Sequence, residues 1–202
     1  MTKGTLFIIS APSGAGKTSL VAEILKRVAN IKASVSHTTR ACRPGEQDGV
    51  NYYFVSLALF QKMVKHADFL EHAEVFGNYY GTSEQWVRDT LACGTDVILE
   101  IDWQGAEQTR QQFPSSKSIF ILPPSLQALE ARLNNRGQDN SSVINQRVAA
   151  AKDEMSHYAE ADYLMVNDDF QLALSQLEKI ILGQIDQNSV MVDEDLINNL
   201  LA

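Results

Sequence analysis

The sequence predicts an α/β fold in which helices flank a parallel sheet. Short, continuously apolar segments recur along the chain, as expected for strands that are buried on both faces of such a sheet. Segments with apolar residues at helical spacing alternate with these strands. Between residues 37 and 92 turn-forming and aromatic residues become frequent instead, which predicts a small β-rich insertion.

The elements follow from these patterns in chain order. Buried strands are predicted at residues 6–9, 96–102, 118–122 and 163–166. Helices are predicted from Thr18 onward, near residues 57–67, twice within residues 126–157, and after the turn at residues 167–169. The second helix of 126–157 has few large apolar residues, which is typical of a mobile cover. We therefore expect a core of residues 1–36, 93–125 and 158–202, an insertion at 37–92 and a helical lid at 126–157.

Composition excludes several classes of protein. The 202 residues are 45% hydrophobic and 21% charged, which suits a chain with a true core. The net charge of -8 argues against general attraction to nucleic acid or to an anionic membrane. Cys42 and Cys93 show neither CxxC nor metal-type spacing, which indicates a reducing compartment. Because no apolar run has the length of a signal peptide core or a membrane span, we expect a cytoplasmic protein.

The segment between the first strand and the first helix has the pattern of a phosphate-binding loop. It reads Ala11-Pro12-Ser13-Gly14-Ala15-Gly16-Lys17-Thr18, which is GxxxxGK[ST] with Ala at the first position. Backbone N–H groups of such a loop point inward, and the following helix adds the positive end of its dipole. Lys17 would contact the β- and γ-phosphates of ATP, and the Thr18 hydroxyl would bind Mg²⁺. A plain Gly-rich turn is disfavoured, because a buried strand precedes the loop and an amphipathic helix follows it.

Two carboxylates lie near the end of the strand predicted at 96–102. Glu100 and Asp102 occupy the position of the acid that helps to hold the Mg²⁺ shell in P-loop enzymes. We expect a metal or substrate role for at least one of them. Which of the two contacts the metal stays open.

Five segments together resemble the guanylate kinases, of the bacterial type. They are residues 10–18 (SAPSGAGKT), 35–46 (VSHTTRACRPGE), 77–82 (GNYYGT), 102–105 (DWQG) and 132–137 (RLNNRG). The resemblance implies the fold of a P-loop nucleoside monophosphate kinase, with 37–92 as the GMP-binding subdomain and 126–157 as the lid. It also implies Mg²⁺-dependent transfer of the ATP γ-phosphoryl group to GMP and dGMP, in purine nucleotide metabolism and GMP recycling. The chain departs from the family pattern at Ala11, at Glu100 and at His37, to which we assign no role.

The resemblance also implies the residues that bind the nucleotides. The GMP phosphate would be held by Arg40, Arg43, Tyr52 and Tyr80, and the guanine by Ser36, Glu71, Thr82 and Asp102. Gly81 would also contact GMP, and Asn167 and Asp168 would border the adenine of ATP. Guanidinium and phenol groups suit a phosphate monoester. A single carboxylate can accept both N1–H and N2–H of guanine, whereas adenine has an acceptor at N1.

Cations are the predicted catalysts, because two polyanions must be brought together. The predicted set is Lys17, Arg40, Arg132, Arg136 and Arg147. Arg132 and Arg136 are four residues apart on one helix face, and Arg147 lies on the next helix. The resemblance assigns these three arginines to a closing lid. No general base is needed, since the attacking GMP oxygen is already anionic.

Two other functions remain open at this point. One is a guanylate-kinase-like module without activity that binds a phosphorylated peptide, and the other is a related P-loop kinase that acts on a ribose phosphate. Lys17 and the lid arginines disfavour the first, and Glu71 with Thr82 disfavours the second, because a sugar phosphate has no base. The expected partners are the small-molecule substrates ATP and GMP, with no nucleic acid and no membrane. The oligomeric state stays open.

Overall fold

The computed structural model describes residues 3–135, 141–186 and 192–202, and only the backbone of residues 141–143 and 145. The described strands are β1 (Leu6–Ser10), β2 (Ile31–Ala33), β3 (His37–Thr38), β4 (Tyr53–Phe54), β5 (Phe69–Val75), β6 (Asn78–Ser83), β7 (Asp96–Glu100), β8 (Lys117–Leu122) and β9 (Tyr163–Val166). The described α-helices are α1 (Lys17–Arg27), α2 (Leu57–Lys65), α3 (Glu84–Ala92), α4 (Trp103–Gln112), α5 (Leu126–Asn135), α6 (Ser141–Ser156), α7 (Phe170–Ile181) and α8 (Glu194–Leu201). A short 3₁₀ helix, His157–Glu160, follows α6. The fold is therefore α/β, as predicted.

The chain divides into two units. The first contains residues 30–116 together with the segment that ends at Leu6. In it β2 pairs with β7 in parallel, and a separate four-stranded sheet has the order β4-β3-β6-β5. The hairpin of β5 and β6 turns at Phe76 and Gly77, whose φ angles of 50° and 74° suit a tight two-residue turn. These four strands all lie within residues 37–92, where the sequence predicted a β-rich segment.

The second unit contains Phe7–Ala29 and Lys117–Ala202. Its strands β1, β8 and β9 are parallel, with Phe7 opposite Lys117 and Ile119 opposite Tyr163. Their carboxyl ends therefore lie at the same edge. The predicted phosphate loop follows β1 and Asn167 follows β9, so both reach this edge, where ligands bind in open α/β sheets.

The C-terminal helix α8 packs into the second unit. Its Leu200 is buried in one hydrophobic cluster with Leu129 and Leu133 of α5 and with Ala151 and Met155 of α6. The sequence indicated only that the second helix of 126–157 has few large apolar residues. Small and flexible side chains such as Ala151 and Met155 make a weak apolar stripe in the sequence, although they pack closely here.

The remaining differences from the predicted elements are local. The strand predicted at 96–102 ends at Glu100, because Asp102 is the N-cap of α4 and its Oδ1 accepts a hydrogen bond of 2.9 Å from Gly105 N. The three-residue β2 and the helices α3 and α4 were not predicted. Leu172 of α7 lies outside the buried face of that helix and is 74% exposed. Within the described residues, no helix has both the length and the apolar character needed to cross a bilayer.

Candidate active site

The predicted phosphate loop joins β1 to α1 with two glycines in left-handed conformations. Gly14 and Gly16 have φ angles of 97° and 94°, which L side chains rarely adopt. Ala15 N donates to Pro12 O over 3.0 Å and closes the turn between them. Ala11 is not among the residues with positive φ, so its Cβ causes no strain at that position. Left-handed glycines on both sides of Ala15 are typical of a backbone loop that binds an anion.

Lys17 and Thr18 begin α1 directly after the loop. Gly16 is the N-cap residue, and it has no side chain that could cap the helix. Lys17 is half-buried and Thr18 is exposed. Both residues thus lie at the end of the helix whose partial positive charge favours the binding of phosphate.

Two further predicted residues contact each other, and one of them also contacts the loop. The buried Asn167 side chain donates from Nδ2 to Ala15 O over 2.7 Å. Nη2 of Arg132, on α5, donates to Asn167 O over 2.8 Å. Nη1 of Arg132 is buried and has no hydrogen-bond partner among the described residues. A buried guanidinium N–H of this kind can donate to an anionic oxygen.

Two other residues predicted to act on the ATP side of the reaction also lie in the second unit. Arg147 lies on α6, half-buried, and Asp168 is exposed after β9. Arg136 lies outside the described residues, so its predicted role stays a prediction.

In the first unit, the predicted phosphate-binding arginine Arg40 is held by an acid that the sequence did not single out. Its Nη1 and Nη2 donate to Glu46 Oε2 and Oε1 over 3.0 and 2.8 Å, in the paired geometry typical of guanidinium and carboxylate. Glu46 Oε2 also accepts from Arg43 N over 2.8 Å. The turn through Pro44 and Gly45 brings Glu46 back, since Glu46 N donates to Arg43 O and Gly45 has φ 87°. Only a Pro-Gly turn directly before an acid could have indicated this contact.

Aromatic rings surround this guanidinium. The Arg40 carbon Cζ lies 5.3 Å from the centre of the Tyr52 ring, a cation–π distance. Tyr52 and Tyr80 meet edge to face at 5.9 Å. Burial acts against the charge of Arg40, but Glu46 and Tyr80 outweigh it and raise the pKa of Arg40 above its ordinary value. Burial raises the pKa of Tyr52, so its phenol stays protonated and can donate to a phosphate.

The predicted guanine-reading residues also come together. Glu71 on β5 lies opposite Thr82 on β6, and both are buried, with 3% and 0% exposure. The Ser36 hydroxyl lies 3.4 Å from the Thr82 hydroxyl. A Cβ at Gly105 would lie 2.5 Å from Glu71 Oε2, so only glycine at that position leaves room for the carboxylate. Gly105 N in turn donates to Asp102, which places the predicted Asp102 near the same group.

Motif residues next to the predicted guanine-reading residues have structural roles. The buried Thr38 hydroxyl accepts from Arg40 N over 3.1 Å, and the Thr39 hydroxyl accepts from Tyr79 N over 2.9 Å. Gly81 is buried against the Phe69 ring, which a Cβ would approach to 2.9 Å. His37 stacks on Tyr53 with 4.8 Å between ring centres. These contacts join β3 to β6 and to the segment of Arg40, and His37 packs within the sheet.

Comparison with known proteins agrees with this geometry. The guanylate kinase family model matches residues 3–184. The chain belongs to the guanylate kinase family. It is 63% identical over 180 residues to a guanylate kinase of Saccharophagus degradans, covering 89% of this chain and 88% of that one. It is 58% identical over 202 residues to a guanylate kinase of Alcanivorax borkumensis, covering 99% and 98%.

A solved guanylate kinase has the same fold. The crystal structure of guanylate kinase from Anaplasma phagocytophilum matches with a TM-score of 0.77 and 34% identity, over 91% of this chain and 87% of that one. The resemblance read from the five motifs and the predicted P-loop kinase fold are both confirmed.

The Glu46 contact predicts a pH dependence. Hydrogen bonds from Arg40 hold the pKa of Glu46 below its ordinary value of 4.5. A carboxylate with a lowered pKa in the folded state stabilises that state above its unfolded pKa, and this stabilisation is lost as the pH falls through the folded value. The unfolding temperature of the unaltered protein should therefore exceed that of Glu46→Gln at pH 7, and the difference should shrink below about pH 4.5. Thermal unfolding from pH 7 to 3 measures this. A difference that does not change with pH would contradict it.

Proposed function

We propose that the chain transfers the γ-phosphoryl group of ATP to GMP, as an ATP:GMP phosphotransferase, with dGMP as a second acceptor. The observation that carries this proposal is the buried Glu71, which lies opposite Thr82 and for which Gly105 leaves space. A buried carboxylate is stabilised by hydrogen bonds to both of its oxygens, and a base with two adjacent N–H donors can supply them. Guanine has that pair of donors, and the Thr82 hydroxyl suits its O6.

The phosphate of the acceptor would be bound by the cluster around Arg40. Arg40 and Arg43 provide positive charge, and Tyr52 and Tyr80 provide phenolic donors. Because Glu46 already binds both terminal nitrogens of Arg40, it orients the guanidinium before the substrate arrives. Such preorganisation lowers the entropic cost of binding.

The donor would be bound by residues 11–18, with Asn167 and Asp168 beside the base. Lys17 would neutralise the β- and γ-phosphates, while Arg132, Arg136 and Arg147 would stabilise the charge that spreads over the transferred group. The GMP oxygen attacks without loss of a proton, so no residue is assigned as a general base. We retain residues 37–92 as the GMP-binding subdomain, 126–157 as the lid and the remainder as the P-loop core.

Kinases of this family use ATP, which implies a divalent metal, and we propose Mg²⁺. The available side-chain donors are oxygens, which suit this ion: the Thr18 hydroxyl and the carboxylates of Glu100 and Asp102. Both Asp102 oxygens already accept hydrogen bonds, from Gly105 N over 2.9 Å and from Gln104 Nε2 over 3.2 Å. When bound, Mg²⁺ would offset the charge of the ATP phosphates.

A coupled assay of ADP release tests the acceptor. GMP and dGMP should support turnover, whereas AMP should be used at least about 10⁴-fold less efficiently in kcat/KM, because its N1 acceptor would face Glu71. Ribose 5-phosphate should not support turnover. Equal rates with AMP and GMP would contradict the guanine assignment, and release of ADP with ribose 5-phosphate alone would favour the sugar-phosphate kinase. The cytoplasmic location stays a prediction.

A further inference from the structure

We infer that Asn167 is a positioning residue for the donor half of the reaction, acting on the phosphate loop with its side chain and on Arg132 with its main chain. The inference rests on the proposed function of the loop. It differs from the contact with adenine that the resemblance implies, because it does not involve the base.

The side chain of Asn167 is directed at the loop from the end of β9. It is 4% exposed, and its Nδ2 donates to Ala15 O over 2.7 Å. A Cβ added to Gly16 would lie 2.3 Å from that same Nδ2. The amide therefore lies against the peptide between Ala15 and Gly16, directly before Lys17. Glycine at position 16 is needed both for its φ of 94° and for this approach.

By holding the Ala15 carbonyl, Asn167 also orients the N–H of Gly16 as a donor for phosphate. In a planar trans peptide the C=O and N–H groups point in opposite directions. When Asn167 fixes Ala15 O on its own side, the N–H of Gly16 is fixed toward the other side. The hydrogen bond from Ala15 N to Pro12 O, 3.0 Å long, restrains the preceding peptide. Together these two bonds define the conformation of the loop before any ligand binds.

The main chain of Asn167 connects the loop to Arg132. Asn167 N donates to Leu122 O over 2.9 Å, which anchors the residue to the last residue of β8. Asn167 O accepts from Arg132 Nη2 over 2.8 Å, which leaves the buried Nη1 of Arg132 available to an anionic oxygen. One residue thus restrains both a phosphate-binding loop and a predicted catalytic arginine. Substitution of the Asn167 side chain removes only the restraint on the phosphate-binding loop.

The test uses a ligand without a base. Inorganic triphosphate binds to the loop through phosphates alone, so a residue that contacts only adenine would not affect it. In the full chain with Asn167→Ala, the Kd for inorganic triphosphate should rise about tenfold, because a buried carbonyl loses its donor and the loop loses a restraint. The KM for ATP should rise and kcat should fall, while the KM for GMP should stay within about twofold of its original value. Isothermal titration and steady-state kinetics measure these quantities.

A control variant and a second measurement distinguish a role in positioning the loop from a contact with the base. Gln171→Ala changes an exposed side chain near the start of α7 and should leave every constant unchanged. Hydrogen exchange of residues 11–18 should become faster in Asn167→Ala, which a contact with the base alone would not cause. If Asn167→Ala does not unfold cooperatively, Asn167→Ser replaces it in the same measurements. Weaker binding of ATP with unchanged binding of triphosphate would overturn the inference. Failure of the unaltered protein to bind either ligand would instead refute the proposed function.

Discussion

Lys17→Ala is expected to lower kcat by at least about 10³-fold while the protein stays folded. The reaction must bring two polyanions within bonding distance. Two like unit charges at 4 Å repel each other by about 4 kcal/mol at an effective dielectric of 20. Lys17 is the one full positive charge within the loop of residues 11–18, and it is the first residue of α1. Without Lys17, only backbone dipoles and the metal would offset the negative charge of the phosphates in this loop.

Folding should be retained in this variant. Alanine has a high helix propensity, and a lysine in the first turn opposes the helix dipole. The unfolding temperature of Lys17→Ala should therefore equal or slightly exceed that of the unaltered chain. Lys26→Ala is the matched control on the same helix, since Lys26 is 67% exposed and pairs only with Glu23 among the contacts described for it. Rates of ADP release and thermal unfolding check both expectations. Near-normal turnover in Lys17→Ala would refute the proposed role of the loop.

The parts of the site that could be predicted from the sequence are those encoded by contiguous residues. The phosphate loop is one such segment, and its glycines, its lysine and the flanking strand and helix all appear within residues 6–27. Its conformation follows from positive φ values that glycine permits. The Thr-Thr-Arg and Gly-Asn-Tyr-Tyr-Gly-Thr strings are also contiguous, and their resemblance to the motifs of the family indicates Arg40, Tyr80 and Thr82.

Contacts between distant or unremarkable residues could not be predicted in this way. Asn167 and Ala15 are 152 positions apart, and no local pattern relates an asparagine after a strand to a loop carbonyl. In the sequence Glu46 has the features of a surface turn, and only the folded turn shows that it binds Arg40. Gly105 has the pattern of an ordinary helical glycine, and its closeness to Glu71 arises only in the folded chain. Tertiary packing, rather than propensity, determines each of these contacts.

Glu71→Gln is expected to lower kcat/KM for GMP by about 10²-fold. The substitution keeps the shape of the side chain, so the β5–β6 pairing with Thr82 should survive. The carboxylate would lose its charge and one acceptor oxygen, and the new NH₂ group would face a donor of guanine. A buried donor without an acceptor is destabilising, and the loss of a charged hydrogen bond adds to this effect. Activity with AMP should not fall to the same extent, because AMP cannot use this carboxylate.

Two comparisons isolate the role of Glu71 from general damage to the sheet. Glu74→Gln changes an exposed acid on the same strand and should leave kcat/KM for GMP within about twofold. Gly105→Ala should reproduce the loss seen in Glu71→Gln without removing any charge, because its Cβ would displace Oε2 from a position only 2.5 Å away. Steady-state kinetics with GMP and AMP measure all three variants. If Glu71→Gln used GMP as well as the unaltered enzyme does, guanine would have to be recognised elsewhere, since a buried carboxylate that contacts two donors of the substrate must affect its use when neutralised.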